Sequence, residues 1–261
     1  MEKVIFKIKR FQVGNHEQQK NHLTIIQISD LHFKFSFDWK YKRLIKKIKK
    51  INPDLLIITG DALDRSGRLA PLRKFLAKLP EQIPKVAVLG NHDYKSDVSN
   101  EKLIKTYSEY GVEHLVNQTK VFNFNYAKLA ITGLDDFMEG ADDFEKAFAN
   151  IDGIKNHIIL AHNPKHIDKL SPFLRRLNHL KKENEKIKPQ LFLSGHTHGG
   201  QIKLASYTPG LPVNSGNYVE GWYHTGHGDL YINKGIGTST IPVRLGARSE
   251  LTIFDYYPVI D

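Results

Sequence analysis

The chain has 261 residues, 40% of them hydrophobic and 25% charged, which is ordinary for a globular protein, and no apolar run approaches the roughly 20 residues of a membrane-spanning helix. Cysteine is absent, which excludes disulfides and thiolate metal sites, so any bound metal must be held by nitrogen and oxygen ligands. The formal net charge of +10 favours anionic partners such as phosphorylated metabolites, nucleic acid or an acidic membrane surface, and is equally consistent with a merely basic surface.

The N-terminal segment, MEKVIFKIKRFQ, mixes charged and apolar side chains. It contains neither the apolar core of a signal peptide nor paired arginines, so we expect a cytoplasmic location, with the basic surface allowing peripheral contact with the inner face of the membrane. Neither an internal repeat nor a low-complexity linker divides the chain, which predicts one domain over residues 1–261.

Short apolar runs bounded by turn-forming residues recur along the chain and predict β-strands. These runs are Thr24–Ser29, Leu55–Thr59, Val86–Leu89, Leu129–Thr132, His157–Ala161, Gln190–Ser194, Leu230–Asn233 and Leu251–Phe254. Because the runs are continuously apolar, we expect strands that are covered on both faces. Helical periodicity predicts helices over Leu44–Ile51, Leu69–Leu79, Glu101–Tyr110 and Phe144–Ala149. Strands that alternate with helices indicate an α/β fold with parallel sheet.

Residues that can bind metals follow five of these strands directly. The five segments are Asp30-Leu31-His32, Gly60-Asp61-Ala62-Leu63-Asp64, Gly90-Asn91-His92-Asp93, His162-Asn163-Pro164 and Gly195-His196-Thr197-His198. Ligands of open α/β sheets bind at the carboxyl ends of strands, so five such loops can meet in one place. If the backbone is extended in Asp30-x-His32 and His196-x-His198, both members of each pair point the same way.

Each segment taken alone is a weak signal. A Gly-Asp pair is a common turn, and Gly90-Asn91-His92-Asp93 also fits a capped turn. The two histidines of His196-Thr197-His198 are more informative, because neighbouring histidines beside a glycine rarely serve packing alone. The order of all five segments, each placed after a strand, predicts a metal site.

Together these segments resemble the full signature of the calcineurin-like metallophosphoesterases, from about residue 24 to residue 200. The tail is similar to a bacterial subgroup that includes YkuE- and YaeI-like phosphoesterases and the chlamydial-type UDP-2,3-diacylglucosamine hydrolases. The tail motifs are Gly199-Gly200-Gln201-Ile202 and Asn233-x-Gly235-x-Gly237-Thr238, which leads to Pro242-Val243-Arg244. The resemblance implies a four-layer α/β/β/α sandwich with a dinuclear metal site at the strand C-terminal ends.

The resemblance also implies a role for each residue of the site. One metal would be bound by Asp30, His32, Asp61 and His198, and the other by Asp61, Asn91, His162 and His196, with Asp61 bridging the two. His92 would contact the substrate phosphate, and Asp93 would orient His92. Asp64 is expected either to support a ligand or to begin a helix. The all-nitrogen-and-oxygen donor set favours Mn, while Zn, Fe and Co also suit it.

Two such metals, about 4 Å apart, would bind phosphate oxygens and generate a bridging hydroxide that attacks phosphorus. The implied activity is hydrolysis of a phosphate mono-, di- or pyrophosphoester, on a lipid-linked or nucleotide-linked substrate such as UDP-2,3-diacylglucosamine. The basic charge leaves a metal-dependent nuclease as an alternative, although no recognised DNA-binding module supports it. A non-catalytic scaffold of the same fold is a third alternative, against which the complete set of ligands and His92 argues.

The segment that follows the first motif has an unusual composition. Five aromatic residues alternate with polar ones over Phe33–Tyr41, and residues 40–50 contain seven Lys or Arg. Two interpretations stay open: a rim that touches an acyl chain or an anionic membrane, or aromatics packed under the loop beside a solvated basic helix face. The same choice applies to Gly221-Trp222-Tyr223-His224. Arg244 is expected either to reach a substrate phosphate or to pair with an acidic residue.

Overall fold

The computed structural model describes residues 6–15, 21–149, 151, 153–179, 181–202, 210–239 and 243–260, so that Pro242 of the tail motif lies outside the described residues. The strands within these ranges are β1 (Phe6–Gly14), β2 (Leu23–Ile28), β3 (Leu55–Thr59), β4 (Lys85–Val88), β5 (Val112–His114), β6 (Gln118–Phe124), β7 (Ala127–Gly133), β8 (His157–Leu160), β9 (Leu191–Ser194), β10 (Gly221–Thr225), β11 (Gly228–Ile232) and β12 (Ser249–Tyr257). The α-helices are α1 (Trp39–Ile51), α2 (Leu69–Leu76), α3 (Asn91–Tyr94), α4 (Asn100–Glu109), α5 (Phe144–Ala147) and α6 (His166–His179).

The strands form two six-stranded sheets, with the orders β1-β12-β2-β3-β4-β5 and β10-β11-β9-β8-β7-β6. Strands β2 to β5 run parallel in the first sheet, and β7, β8, β9 and β11 run parallel in the second. Ile28 pairs with Ile58 in the first sheet, and Leu160 pairs with Leu193 in the second. Because these parallel strands end in register, the loops that follow them lie side by side at one edge of each sheet.

Apolar side chains form three layers of core around the two sheets. Ile57 of the first sheet and Leu193 of the second belong to the layer between the sheets. The outer face of the first sheet is covered by α1, α2 and α4, for example by Leu44. The outer face of the second sheet is covered by α5 and α6, for example by Leu170. This arrangement is a four-layer α/β/β/α sandwich, which confirms the predicted fold class.

Helix α1 shows how the sequence produces one of these layers. Its buried residues, Leu44 and Ile48 among them, recur at helical spacing and face the sheet, while its Lys and Arg residues lie on the remaining surface. The helix ends at Asn52, which adopts a left-handed conformation (φ 49°) and donates its main-chain N–H to the carbonyl of Ile48. Pro53 follows and cannot continue the helical hydrogen bonding.

Every predicted strand and helix is present, with ends shifted by up to five residues. The strands that the sequence did not predict are β1, β5, β6 and β10. The helices that it did not predict are α3, which is a single turn, and the longer α6. Helix α6 contains Pro172, which interrupts the helical pattern in the sequence. Among the described residues, no helix combines the length and the apolar character that crossing a bilayer requires.

Two buried polar contacts join the sheets directly below the edge where the loops meet. Gln27 of β2 donates its side-chain amide to Thr59 Oγ1 and to the carbonyl of Ser194 in β9, both at 3.0 Å. His162 Nδ1 lies 2.8 Å from the carbonyl of Thr59. These contacts hold the carboxyl ends of β3, β8 and β9 at a defined distance from one another, because buried hydrogen bonds specify a single arrangement of the groups they connect.

Candidate metal centre

The five loops that carry the predicted ligands converge at the carboxyl ends of β2, β3, β4, β8 and β9. Every predicted ligand is buried, with relative exposures of 0% for Asp30, 3% for His32, 1% for Asp61, 7% for Asn91, 0% for His162, 4% for His196 and 3% for His198. Burial of so many polar side chains is costly unless they are paired with one another or coordinate a metal.

The backbone at these positions is left-handed, which corrects the expectation of an extended chain. Positive φ angles occur at Asp30 (48°), His32 (47°), Asp61 (51°), His196 (71°) and His198 (53°). Residues other than glycine adopt this region rarely, at a cost of about 1–3 kcal/mol each, and apart from helix ends and turns they cluster at functional sites. The sharp turns aim successive ligands at one point, which the alternation of an extended strand does not achieve here.

The first predicted metal position contains Asp30, His32 and His198, with one ligand atom of each within 4.8 Å of the other two. His198 Nε2 lies 3.3 Å from Asp30 Oδ1 and 3.1 Å from His32 Nε2. Asp61 Oδ2 lies 3.6 Å from His32 Nε2. The structure therefore brings together the four side chains that the resemblance assigned to one metal.

The second predicted position connects the first sheet to the second. Ligand atoms of Asp30, Asp61 and His162 lie within 4.8 Å of one another, and His162 Nε2 is 3.2 Å from Asp61 Oδ2. His196 Nδ1 lies 2.9 Å from Asn91 Oδ1. The Asp61 oxygen that faces His162 also faces the first position, so this carboxylate occupies the central place that a bridging ligand needs.

His92 lies above the ligands at the edge of the site. Its main-chain N–H donates to Asp61 Oδ1 at 2.8 Å, which fixes its loop to the central carboxylate. Its ring packs edge-on against His32, with centroids 4.7 Å apart, and its Nε2 lies 3.3 Å from Ser239 Oγ. Among the described residues, His92 Nδ1 has no hydrogen-bond partner. This half-buried ring is more exposed than the seven predicted ligands beside it.

Asp93 supports the His92 loop by a different route from the predicted one. Its two carboxylate oxygens accept hydrogen bonds from the main-chain N–H groups of Leu63 (2.8 Å) and Gly90 (3.0 Å). Burial, together with the nearby charge of Asp61, raises the pKa of Asp93 to about 7. Asp93 therefore orders the main chain on both sides of the site, and its hydrogen bonds do not go to the ring of His92.

Two charged side chains stand behind the histidines of the first position. Asp64 Oδ2 lies 3.7 Å from His32 Nδ1, and the alternative role for Asp64 as a helix start is not observed, because α2 begins at Leu69. Arg244 Nη2 lies 2.9 Å from His198 Nδ1, and the guanidinium also donates to the carbonyls of Gly237 and His198. Arg244 thus bonds to carbonyls and a histidine ring, and not to the acidic residue that was one expectation.

Electrostatics keeps three of the four predicted histidine ligands neutral. Burial lowers the pKa of His32 to about 3 and that of His196 to about 4, and holds the pKa of His198 well below its usual range. Neutral imidazole is the form that binds metals. His162 differs, because the charge of the adjacent Asp61 outweighs burial and raises the pKa of His162 well above its usual value.

The carboxylates respond to the same surroundings in opposite ways. Burial raises the pKa of Asp30 to about 6. Burial alone would also raise the pKa of Asp61, but the positive charge of His162 holds it below its usual range. A cation that displaced the proton of His162 would replace this internal partner of Asp61 and would favour the ionised form of Asp30.

A sixth loop also has carboxylates soon after an apolar strand, but it was not assigned to the site from the sequence. Two buried carboxylates, Asp135 and Asp136, follow the apolar strand β7. Asp135 accepts hydrogen bonds from the hydroxyl of Tyr94 and from the main-chain N–H of Ala141 (3.0 Å). Because Tyr94 ends the helix that begins with Asn91, Asp135 anchors the helix that presents this predicted ligand.

The tail motif closes over the first ligand loop. The main-chain N–H of Ile236 donates to the carbonyl of Ser29 at 3.0 Å, and that of Gly237 donates to the carbonyl of Asp30 at 2.7 Å. Gly235 has a φ of 71°, and a Cβ there would collide with the side chain of Asp30. The spacing of the glycines in this motif is therefore required by the close approach of the tail to a predicted ligand.

The residues at this site fit a pair of cations. His196 donates through Nε2 to the carbonyl of Val213 at 3.1 Å, so its Nδ1 lone pair faces Asn91 Oδ1, and a cation satisfies two acceptors placed in this way. His162 Nε2 is buried without a hydrogen bond of acceptable geometry among the described residues. A Cβ at Gly60 would lie 2.5 Å from His162 Nδ1, so glycine keeps this space clear.

Comparison with known proteins agrees with this geometry. A family described as calcineurin-like phosphoesterase matches residues 23–200, a range that includes every predicted ligand. The chain belongs to the calcineurin-like phosphoesterases. The uncharacterized metallophosphoesterase YkuE of Bacillus subtilis strain 168 is 32% identical over 239 residues, covering 88% of this chain and 77% of YkuE. The phosphodiesterase YaeI of Escherichia coli strain K12 is 30% identical over 210 residues, covering 78% of this chain and 70% of YaeI.

These relatives confirm the family and the bacterial subgroup predicted from the motifs. Among solved structures, the phosphopantetheinyl hydrolase PptH of Mycobacterium tuberculosis is 14% identical, with a TM-score of 0.43, covering 82% of this chain and 90% of that chain. The family is one of metal-dependent hydrolases, and the clustered Asp and His residues of this member provide candidate ligands for divalent metals.

Proposed function

We propose that this chain hydrolyses a phosphoric ester, with two divalent cations held by the seven buried ligands. The observation that carries the proposal is the clustering of ligand atoms of Asp30 with His32 and His198, and of Asp30 with Asp61 and His162. Asp61 Oδ2 lies between the two groups, 3.6 Å from His32 Nε2 and 3.2 Å from His162 Nε2. Two cation positions that share carboxylates are the arrangement used for in-line displacement at phosphorus. When bound, the cations would supply positive charge for the phosphate oxygens and activate water. Mn is the cation we favour, with Zn, Fe and Co also suited to these donors.

The remaining residues of the site would act on the substrate. Hydrolysis breaks the bond between phosphorus and the leaving oxygen, and the oxygen of a water molecule becomes attached to phosphorus. We assign to His92 a hydrogen bond to the phosphate and the proton that the leaving oxygen takes up, and the proton that the attacking water releases restores the one that His92 gives up. Its place at the edge of the site, with its ring against His32, supports this role. Asp93 would keep the His92 loop in place through the main chain.

The substrate class follows from the proposed chemistry and from the basic surface. We propose a lipid-linked or nucleotide-linked phosphoester, for which UDP-2,3-diacylglucosamine is an example, acted on in the cytoplasm or at the inner face of the membrane. Arg244 lies directly behind His198 and carries positive charge close to the cations, which supports an additional role toward a phosphate of the substrate. We further propose that residues 1–261 act as one domain.

The proposal is tested by the hydrolysis of two simple esters. Metal-stripped protein would be assayed on p-nitrophenyl phosphate and bis-p-nitrophenyl phosphate before and after Mn is added back. We expect activity only with metal, and the preferred compound separates monoesterase from diesterase chemistry. His92→Ala should reduce kcat by roughly 10²–10⁴-fold with unchanged metal content, as expected for the loss of a general acid. His224→Ala is the matched control, because it removes an exposed histidine of β10 that is not among the predicted ligands, and it should leave kcat unchanged.

Two other outcomes correspond to the alternative functions. If the metal-loaded protein cleaves plasmid or single-stranded DNA and is inactive on both esters, the nuclease alternative replaces the proposal. If it binds two cations and is inactive on esters, UDP-linked compounds and nucleic acid alike, the ligands serve a scaffold without catalysis.

A further inference from the structure

Most of the exposed large apolar side chains belong to segments that adjoin or contact the predicted ligands. Among the described residues, eight large hydrophobic side chains are exposed, and five of them belong to segments next to the predicted ligands. We call these five residues the mouth rim: Phe35 (67% exposed), Trp39 (53%), Val213 (72%), Val243 (56%) and Leu245 (54%). An isolated exposed hydrophobic residue needs no explanation, but a group around one opening is typical of an interaction surface.

The three aliphatic members of the mouth rim are tied to ligands through their own main chain or that of a neighbouring residue. The carbonyl of Val213 accepts the hydrogen bond from His196 Nε2. Val243 and Leu245 flank Arg244, whose guanidinium contacts the ring of His198, and the Leu245 N–H donates to the carbonyl of Gln201 at 3.0 Å. These contacts place the three aliphatic residues beside the second-sheet ligands.

The two aromatic members of the mouth rim come from the segment after His32. The segment divides between the two interpretations that the sequence left open: Phe33 and Tyr41 are buried in the core under the loop, whereas Phe35 and Trp39 are exposed. The tertiary structure thus uses part of the aromatic pattern for packing and leaves the other part at the surface.

Arginine side chains accompany both exposed aromatics. The guanidinium of Arg68 lies over Phe35, 5.4 Å from the ring centroid, and that of Arg43 lies over Trp39 at 5.0 Å. Residues 34–50 contain eight Lys or Arg and one acidic residue, Asp38. A surface that combines exposed aromatic rings with dense positive charge is complementary to an anionic bilayer, where rings enter the interface and cations meet lipid phosphates.

We propose that the mouth rim docks onto an anionic lipid bilayer, with the basic face of α1 against the headgroups and the metal centre facing the membrane. Binding to the bilayer does not depend on the proposed function. Only its consequence does, namely that this orientation would present a lipid-linked phosphoester to the site. Val213, Val243 and Leu245 favour a membrane over nucleic acid, because exposed aliphatic side chains gain from an acyl environment but cannot stack on bases as aromatic side chains do.

The opposite end of the molecule provides a matched control surface. Val259 (52% exposed) and Ile260 (49%) lie near Asn156, just before β8 begins, and Asn156 exchanges hydrogen bonds with the main chain of Val259. This end is remote from the carboxyl ends of the strands. Lys102 and Lys105 are exposed on α4, so replacing both with glutamate changes the net charge as much as replacing two lysines of α1.

Sedimentation with vesicles tests the docking surface. The full chain would be mixed at low salt with vesicles of phosphatidylcholine alone or with 30% phosphatidylglycerol, about a third of the lipid being anionic. We expect binding only to the anionic vesicles. Phe35→Ser with Trp39→Ser, and separately Lys42→Glu with Lys46→Glu, should each weaken binding by about tenfold or more. Val259→Ser with Ile260→Ser, and Lys102→Glu with Lys105→Glu, should change it by less than about twofold.

Tryptophan fluorescence gives an independent measure of which side meets the lipid. The chain has two tryptophans, so Trp222→Phe leaves Trp39 as the only one. We expect the emission of Trp39 to shift to shorter wavelength with anionic vesicles and to be quenched by brominated acyl chains. Circular dichroism would establish that each variant is folded before it is compared.

The outcomes separate docking from catalysis. If wild-type protein does not bind anionic vesicles, if the rim and control pairs lose binding equally, or if Trp39 stays unquenched, the docking proposal is wrong. It is also wrong if the rim variants abolish binding to nucleic acid, or dissociate a dimer in sedimentation velocity, without altering binding to vesicles. Hydrolysis of p-nitrophenyl phosphate does not require the rim, so its absence in wild-type protein would count against the proposed function and leave the docking result standing.

Discussion

The two predicted metal positions differ in the groups that stand behind their histidines. In the first position, His32 Nδ1 faces the Asp64 carboxylate at 3.7 Å, and His198 Nδ1 faces the Arg244 guanidinium at 2.9 Å. In the second position, His162 Nδ1 faces the carbonyl of Thr59 at 2.8 Å. The rear nitrogen of His196 likewise faces a main-chain carbonyl, that of Val213, at 3.1 Å.

This difference shows how one site can combine an adjustable half with an invariable half. Groups behind a ligand set the orientation of the ring and its strength as a donor. Side chains behind the first position can be exchanged by single substitutions, which changes the surroundings of that position. Main-chain carbonyls behind the second position are part of strand β3 and of the loop around Val213, so they persist whatever side chains are present.

The largest effect should come from the carboxylate that both positions share. Asp61→Asn removes the charge that faces His32 and His162, so we expect loss of both cations and a fall of at least about 10³-fold in kcat/KM for p-nitrophenyl phosphate. Metal content by atomic emission and the steady-state rate would be measured together. Asp229→Asn, which removes a carboxylate on the edge hairpin, is the control. Retention of one tightly bound cation in Asp61→Asn would show that Asp61 belongs to a single position.

A smaller effect should distinguish the two halves directly. Asp64→Asn removes the negative charge behind His32 Nδ1, so we expect the affinity for one cation to fall by about 10–100-fold while the other changes little, whereas Arg244→Met removes a donor, which cannot accept the N–H of a metal-binding histidine, and should not lower that affinity. Calorimetric titration of metal-stripped protein with Mn resolves the two binding steps, and thermal denaturation shows whether each variant is folded. Equal weakening of both steps would contradict the division into two halves.

Metal affinity should also depend on pH, in a direction fixed by the buried groups. Burial raises the pKa of Asp30 to about 6, and the charge of Asp61 raises that of His162 well above its usual range, so both groups must release protons to bind cations. Affinity should therefore fall by about tenfold for each pH unit below 6 through Asp30 alone.

The contribution of His162 should extend the same trend to higher pH, so that the second position continues to strengthen above pH 6 while the first levels off. Titration of Mn in two buffers of different ionisation enthalpy counts the protons released. Affinity that is independent of pH between 5 and 8 would show that neither group holds a proton in the metal-free protein.

The smallest effect concerns the loop after β7. Tyr94→Phe removes the hydroxyl that bonds to Asp135, and we expect a loss of about 1 kcal/mol in the free energy of unfolding, a fall of roughly 2 °C in Tm. Because Tyr94 ends the helix that begins with Asn91, the second cation should also bind a few-fold more weakly. Tyr126→Phe, which removes a hydroxyl bonded to the carbonyl of His22, is the matched control for stability. Identical metal affinities in the two variants would show that the Asp135 contact is only structural.

The strands that were predicted and those that were missed follow a physical rule. Every predicted strand lies in the interior of a sheet, and the four missed strands, β1, β5, β6 and β10, are the edge strands of the two sheets. Interior strands are covered on both faces, so their sequences are continuously apolar and stand out from their surroundings. Edge strands are partly exposed, as in β1, where Lys7, Lys9 and Arg10 interrupt the pattern.

The other segment that the sequence allowed as a surface rim is also an edge strand. Gly221-Trp222-Tyr223-His224 forms the edge strand β10, and Trp222 packs against Phe11 and Tyr231 with centroids 5.3 and 4.9 Å apart. This segment is therefore part of the fold, in agreement with the alternative that the sequence left open. The assignment of the seven ligands to two metals and the role of His92 stay predictions, supported by the distances within the site.

The sequence by itself determined the family, the interior of both sheets and the side chains that gather at one edge, because apolar strands that end in Asp, Asn or His carry this information locally. Only the tertiary structure decided that Arg244 and Asp64 stand behind the first position, that Asp93 bonds to the main chain, and that Phe35 and Trp39 are exposed while Phe33 is buried. These contacts join residues far apart in the chain or depend on which face a loop turns inward, and neither property is encoded in the spacing of neighbouring residues.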